Sequence, residues 1–335
     1  MRLLGATGVS RVFELGNYRR PLIVVYHQLH DPQVLQSQLR YLMTHYNIVD
    51  LETIAAAHAF GGHSLPRRAA AITLDDGYRS AYAVAFPVLL RMSCPATVFA
   101  NTSSIDSGLP IWPVYVRELV FSSRLPEIVV CMRRERHSLR TDTHDARLST
   151  YLFLMRMLTR QWQSELANAL SMLAEAAGHP ELEFDSNELP LTWTQVDEMS
   201  RSGLIAFGNH SHSHRVLTHV DGATLAAEIH RGKERLRDHG VRPSRVFCYP
   251  NGAHDDRVIR ELIAAGYFAA VTTRQRRVAP GSDAMLLERI GASDLEDESV
   301  FRVRMSGAFD GLRPLQHVFH SVYEPLGRRL LARSR

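Results

Sequence analysis

Two adjacent carboxylates, Asp75 and Asp76, stand where the apolar run Ala71-Ile-Thr-Leu74 stops, and Gly77 follows to let the backbone turn. Like charges held side by side raise the pKa of one of them unless a cation or hydrogen bonds compensate. A strand ending in an Asp-Gly turn would account for this stretch alone. The balance shifts at Gly208-Asn-His-Ser-His-Ser-His214, where three histidines fall within five residues behind a second strand-like run, 204–207. His210 and His214 are four apart, which on one turn of helix puts them on a shared face. Neutral imidazoles at that spacing, joined by a carboxylate, make a facial metal site with open positions for water and substrate. A chain with 17 histidines can cluster some by chance. A His-rich loop after one strand and paired acids after another are harder to explain as structure alone.

Such residues need a scaffold that brings several strand ends together. The patterning supplies one: strand-like runs at 21–27, 47–49, 71–74, 96–100, 204–207, 245–248, 267–271 and 285–290, separated by helical spacing at 33–45, 51–58, 79–92, 194–200, 222–238 and 255–264. Strands alternating with helices in this rhythm predict βαβ units, and so a parallel sheet or barrel of the α/β class. In such folds the chemistry sits at the C-terminal strand ends. Residues 101–190 break the rhythm, with a long loop expected over 101–113 and helices over 147–177. Because the βα pattern resumes afterwards, this stretch is expected to be a helical insertion. The chain is thus expected to be one domain over 1–335, with a core at about 21–295, the insertion at about 101–190 and a C-terminal extension at 296–335.

With 335 residues, 45% of them hydrophobic, the chain can bury a large core. It has no run of eighteen apolar residues, and its first residues lack the apolar core of a secretory signal, so a cytoplasmic location is the expectation. Cys94, Cys131 and Cys248 form no CxxC pair, and their odd number argues against a disulfide framework. The net charge of +4 is uneven: residues 1–20 carry +3 and residues 301–335 carry +5, leaving −4 for the body. Basic ends point to an anionic surface. The arginines of 301–335 accompany an apolar stripe at Leu312, Leu315, Phe319, Val322 and Leu326, as an interfacial helix at the inner membrane face would, although packing on the barrel explains the stripe as well. No nucleic-acid-binding motif is present, and no nucleic-acid partner is expected.

With these residues in place, the chain resembles the NodB-type polysaccharide deacetylases, carbohydrate esterase family four, over about residues 21–295. The likeness rests on Thr73-Leu-Asp-Asp-Gly77, on His210-Ser-His-Ser-His214 and, less specifically, on Cys248-Tyr-Pro-Asn-Gly252. It implies a distorted (β/α) barrel of the NodB-homology type and metal-dependent hydrolysis of N-acetyl groups on a glycan or lipid-linked sugar, in surface polysaccharide synthesis. By the same resemblance Asp76, His210 and His214 bind a divalent metal, zinc first, with cobalt, nickel or manganese also accepted by such ligands. Asp75 is the general base, and the backbone N–H of Asn251 holds the oxyanion. Tyr249 and Pro250 of the third motif lie against the substrate.

Two departures mark this chain. The arginine that opens the family's third motif is Cys248 here, and the histidine of a late strand is absent from 286–290. The chain is most similar to the circularly permuted subgroup of poly-N-acetylglucosamine deacetylases, in which an N-terminal strand ending in Tyr-His brings the acid histidine; Tyr26-His27 fits, so the resemblance makes His27 the general acid. Arg289, on the expected last strand, faces the gap left at position 248, where a guanidinium would keep Asp75 ionised; a surface ion pair with Glu288 is the plainer alternative. Two other readings use the same residues: a metal-dependent O-acetyl esterase or other amide deacylase, and a non-catalytic glycan-binding relative. Retention of both Asp75 and Asp76 speaks against the last.

Overall fold

Strands β1 (Leu22–Tyr26), β3 (Ala69–Leu74) and β4 (Ala96–Ala100) are buried along their whole length, as strands covered on both faces must be. The computed structural model describes residues 20–306 except 62–63, 133–134 and 162. Within them β2 (Asn47–Ile48), β7 (Ile205–Asn209), β8 (Val246–Cys248), β9 (Ala269–Gln275) and β10 (Leu287–Gly291) complete an eight-stranded sheet. Its order is β7-β4-β3-β1-β10-β9-β8, with β2 beside β3, and every pairing is parallel. The two ends of this order meet where the Ser244 N–H donates to the Phe207 carbonyl at 2.7 Å. The sheet is therefore a nearly closed, distorted (β/α) barrel, as expected. All strands run the same way, so their C-terminal ends open on one mouth.

Period-two alternation decides which residues reach that mouth. Leu22, Val24 and Tyr26 of β1 pack outward, in one cluster with Leu35 and Leu39 of helix α1 (Pro32–His45). Ile23, Ala71, Phe99, Val246, Cys248, Val271 and Leu287 share a second cluster inside the barrel. The same alternation, carried on to the strand ends, arrives at His27, Asp75 and Arg289. The interior is tight: a Cβ added to Gly208 would lie 2.5 Å from the Phe99 ring, so only glycine fits beside it. Helix α2 (Leu51–Phe60) adds Leu51, Ile54 and Ala55 to that interior cluster, and the remaining outer helices are α3 (Phe86–Met92), α8 (Trp193–Arg201), α9 (Gly222–Asp238), α10 (Asp256–Ala264) and α11 (Glu298–Met305).

Between β4 and α8 lies the insertion. It carries α4 (Thr102–Ser107), α5 (Trp112–Ser122), α6 (His144–Gln161) and α7 (Leu166–Ala176). It also contains an antiparallel hairpin of β5 (Glu127–Met132) and β6 (Glu135–Arg140). Its core of Trp112, Leu119, Ile128, Leu154, Leu158 and Leu173 is separate from the barrel's. Two expectations are corrected here. The stretch 101–113 is not a long loop but holds α4 and the start of α5. The insertion is also not purely helical, because the Arg- and Glu-rich β6 pairs with the apolar β5 and stays largely exposed. Among the described residues no helix is long and apolar enough to cross a membrane; the stripe at 312–326 lies outside them.

Candidate active site

The turn after β3 separates the two carboxylates. Asp76 and Gly77 both have left-handed backbone, with φ of 68° and 65°, so the side chains on either side of the reversal point different ways. Asp75 faces the barrel interior, and Asp76 faces the His-rich loop after β7.

Arg289 meets Asp75 with a two-pronged fork, Nη1 to Oδ1 at 2.7 Å and Nη2 to Oδ2 at 2.6 Å. The guanidinium is fully buried, and all five of its N–H groups find acceptors: Asp75 Oδ1 and Oδ2, the Thr272 carbonyl at 2.9 Å, Thr73 Oγ1 at 3.2 Å and Cys248 Sγ at 3.2 Å. The Cys248 thiol donates in turn to Asp75 Oδ2 at 3.4 Å. Burial pushes the Asp75 carboxyl up, but the charge and hydrogen bonds of Arg289 outweigh it, and the group stays below the usual carboxylate range. Arg289 thus occupies the neighbourhood expected of it, beside Cys248. The register slips between Leu287 and Arg289 against β9, a bulge of the kind that re-aims side chains near functional sites. His27 sits just past the end of β1, one-third exposed, with Nε2 3.9 Å from Asp75 Oδ2.

Asp76, His210 and His214 are all buried and converge. Asp76 Oδ1 lies 3.3 Å from His210 Nε2 and 3.2 Å from His214 Nε2. His210 spends its other ring nitrogen on the Cys248 carbonyl at 2.8 Å, which orients the ring with Nε2 toward the carboxylate. Burial pushes Asp76 up, but hydrogen bonds from His210 and His214 more than compensate and hold it well below the usual carboxylate range. One carboxylate oxygen and two imidazole nitrogens thus converge on one point, where a cation can take the place of the ring protons. These ligand types, with their ligand atoms within 4.8 Å of one another, fit a divalent metal.

The spacing argument for the histidines is corrected. Residues 210–216 form no helix; the chain is irregular, with left-handed backbone at Ser211 (φ 62°) and His214 (φ 57°). Such residues cost on the order of 1–3 kcal/mol each and persist where surroundings over-determine them. Those surroundings come from other elements of the chain. The Trp112 indole donates to the His214 carbonyl at 2.9 Å, Gln163 Oε1 accepts the Val216 N–H at 2.7 Å, and Glu228 on α9 accepts the Ser213 N–H at 2.7 Å. His212 turns away, its Nδ1 on Thr102 Oγ1 at 2.8 Å, as expected of a residue outside the metal set.

Past β8, Pro250 is buried, and Asn251 is exposed in left-handed backbone (φ 54°). Tyr249 is a correction: its ring is wholly buried in the cluster with Phe247, Leu262 and Tyr267, and its hydroxyl donates to the Met285 carbonyl at 3.1 Å. Its side chain is spent on the core and offers nothing to a substrate. Pro250 is likewise packed away, so neither side chain forms the substrate surface expected of the third motif.

A model of the family described as polysaccharide deacetylase matches residues 62–185 and 183–270. No curated protein sequence matches the chain. Among solved structures, the chain is similar to the Streptococcus pyogenes deacetylase PplD in complex with acetate, with a TM-score of 0.56 at 16% identity, over 86% of this chain and 99% of that one. It is similar to IcaB from Ammonifex degensii, with a TM-score of 0.55 at 18% identity, over 86% and 97%. The de-N-acetylase from Aggregatibacter actinomycetemcomitans gives 0.52 at 17%, over 85% and 99%. At these identities the structural likeness is one of fold.

Proposed function

The chain belongs to the polysaccharide deacetylase family, and from that premise we propose that it is a metal-dependent hydrolase that removes N-acetyl groups from a surface-type glycan or its lipid-linked precursor. The observation that carries the proposal is the pairing of two differently used acids: Asp75, neutralised by a buried Arg289 fork, next to Asp76, turned toward two buried histidines.

Asp76, His210 and His214 hold the metal in this reading. A divalent ion there supplies Lewis acidity toward the acetyl carbonyl and toward water. Asp75 takes the proton of the attacking water. It is suited to this because Arg289 keeps it ionised at neutral pH and, by filling both carboxylate oxygens from one side, fixes its direction. The backbone N–H of Asn251 steadies the oxyanion. The amine leaves only once protonated. His27, beside Asp75 and open to solvent on one side, gives it that proton, so that amide and water become acetate and a free amino sugar. Cys248 accepts from Arg289 and donates to Asp75, bridging the pair in the place where the family carries arginine.

The test is acetate release from N-acetylglucosamine oligomers and from O-acetylated xylan, before and after metal removal by a chelator. Release from the N-acetylated oligomers alone, lost on chelation and restored by zinc, is the expected result. Equal turnover of the O-acetylated substrate would move the assignment to the esterase reading. His210→Ala should abolish metal binding and turnover together.

A further inference from the structure

The two metal-binding imidazoles are oriented differently. His210 is aimed through its ring, by the hydrogen bond from Nδ1 to the Cys248 carbonyl. His214 has no such bond: its Nδ1 is buried and without a hydrogen-bond partner among the described residues. Apart from its edge contact with the His210 ring and the approach of Nε2 to Asp76 itself, no bond on the ring sets where Nε2 points, so its direction rests on the backbone that carries it. That backbone is left-handed at His214, a conformation a histidine does not hold unaided.

We propose that the insertion between β4 and α8 is the positioning device for His214, and that Trp112 and Gln163 are the residues through which it acts. This rests on the metal reading above. The two side chains bracket His214: Trp112 holds its carbonyl, and Gln163 holds the N–H two residues on. Both are themselves fixed. Trp112 is buried in the insertion's core. Gln163 is fully buried, and its Nε2 donates to the Leu158 carbonyl at 2.8 Å, which leaves Oε1 free to take only the Val216 N–H. Further bonds follow the same seam. Arg215 donates to the Gln163 carbonyl and to the Ser164 carbonyl at 3.0 Å, and Ser164 Oγ accepts the Asp221 N–H at 3.2 Å. The insertion thus reaches the loop at 212, 214, 215 and 216, while the barrel's own helix α9 reaches it at 212, 213 and 215 through Glu228; among the described residues, the insertion alone of the two holds 214 and 216. Outer residues that orient a metal ligand commonly change affinity by about 10–100-fold.

Trp112→Phe keeps an aromatic ring in the core and removes the N–H. Gln163→Met keeps length and removes the acceptor. Thr150→Val serves as the control: Thr150 is buried in the same insertion and bonds the Arg140 carbonyl, without touching the loop. Each full-length protein is stripped with a chelator and checked for folding by circular dichroism. Its Zn2+ affinity is measured by competition with a chromophoric chelator, and Zn2+ release by stopped flow. The expected result is a loss of affinity of about 10–100-fold in both Trp112→Phe and Gln163→Met, carried by faster release, with Thr150→Val like wild type. Wild-type affinity in both folded variants overturns the inference and leaves the metal reading standing, as does an equal loss in Thr150→Val. A wild-type chain that binds no Zn2+ overturns the metal reading and this inference with it.

Discussion

At the scale of single residues, the two acids should respond differently to the same small change. Asp75→Asn keeps shape and removes the proton acceptor, so Zn2+ affinity should persist while kcat falls by the roughly 10²–10⁴-fold typical of a lost general base. Turnover near wild type would assign the proton to another group. Arg289→Met is the complementary test, read on stability with the metal removed. Breaking a buried pair by taking one partner costs about 3–5 kcal/mol. The folded pKa of Asp75 is depressed, so the pair's contribution is fully present above the unfolded carboxyl value of about 3.9 and is lost as pH falls through the still lower folded value. The gap between wild type and Arg289→Met in urea unfolding should therefore be wide at pH 7 and shrink below about pH 4. A gap independent of pH would mean that the arginine packs but does not pair. The acids and ligand histidines could be read from the sequence because their types and order are specific. The fate of Tyr249 could not, because a motif residue that faces the core looks the same in one dimension as one that faces the substrate.

At the scale of elements, the buried strands and the amphipathic helices were legible, since apolar runs and 3.6-residue spacing report burial directly. Hairpin strand β6 was not: its Glu135-Arg-His-Ser-Leu-Arg140 is mostly exposed and carries no apolar signal. The loop after β7 was misread as a helical turn because i,i+4 spacing says nothing of backbone hand, and it is held by Trp112, Gln163 and Glu228, all distant in sequence. Helix α9 shows tertiary packing overriding propensity. Alanine is favoured over glycine inside a helix by about 1 kcal/mol, yet a Cβ at Gly232 would lie 2.2 Å from Asn209 Oδ1. Asn209 is itself tied to the Ile229 carbonyl and the Tyr267 hydroxyl and immediately precedes His210. Gly232→Ala should therefore destabilise, by the 1–3 kcal/mol usual for overpacking, and weaken Zn2+ binding as well. A rise in melting temperature would show that Asn209 yields without cost.

At the scale of the whole molecule, the matched family segment covers residues 62–270, so His27 and Arg289, one from each flank, both lie outside it. What brings them in is strand order. β1 pairs with β3 on one side and with β10 on the other, Val24 opposite Ile290. The first described strand and the last are thus neighbours, and the chain between them must be made before they can touch. During synthesis β1 waits with an open, wholly apolar edge, of the kind that invites pairing with other chains, and contacts so far apart in sequence form slowly. Asp75 meanwhile sits in the interior without its counter-charge. A nascent chain released before residue 287 therefore lacks both the seam and the cation. Expressed to residue 286, the protein should collect in aggregates, whereas supplying the missing strand in trans as a peptide of residues 283–306 should return part of it to solution. Soluble, cooperatively unfolding material without the peptide would mean that the seam closes the barrel late but is not what keeps the rest together.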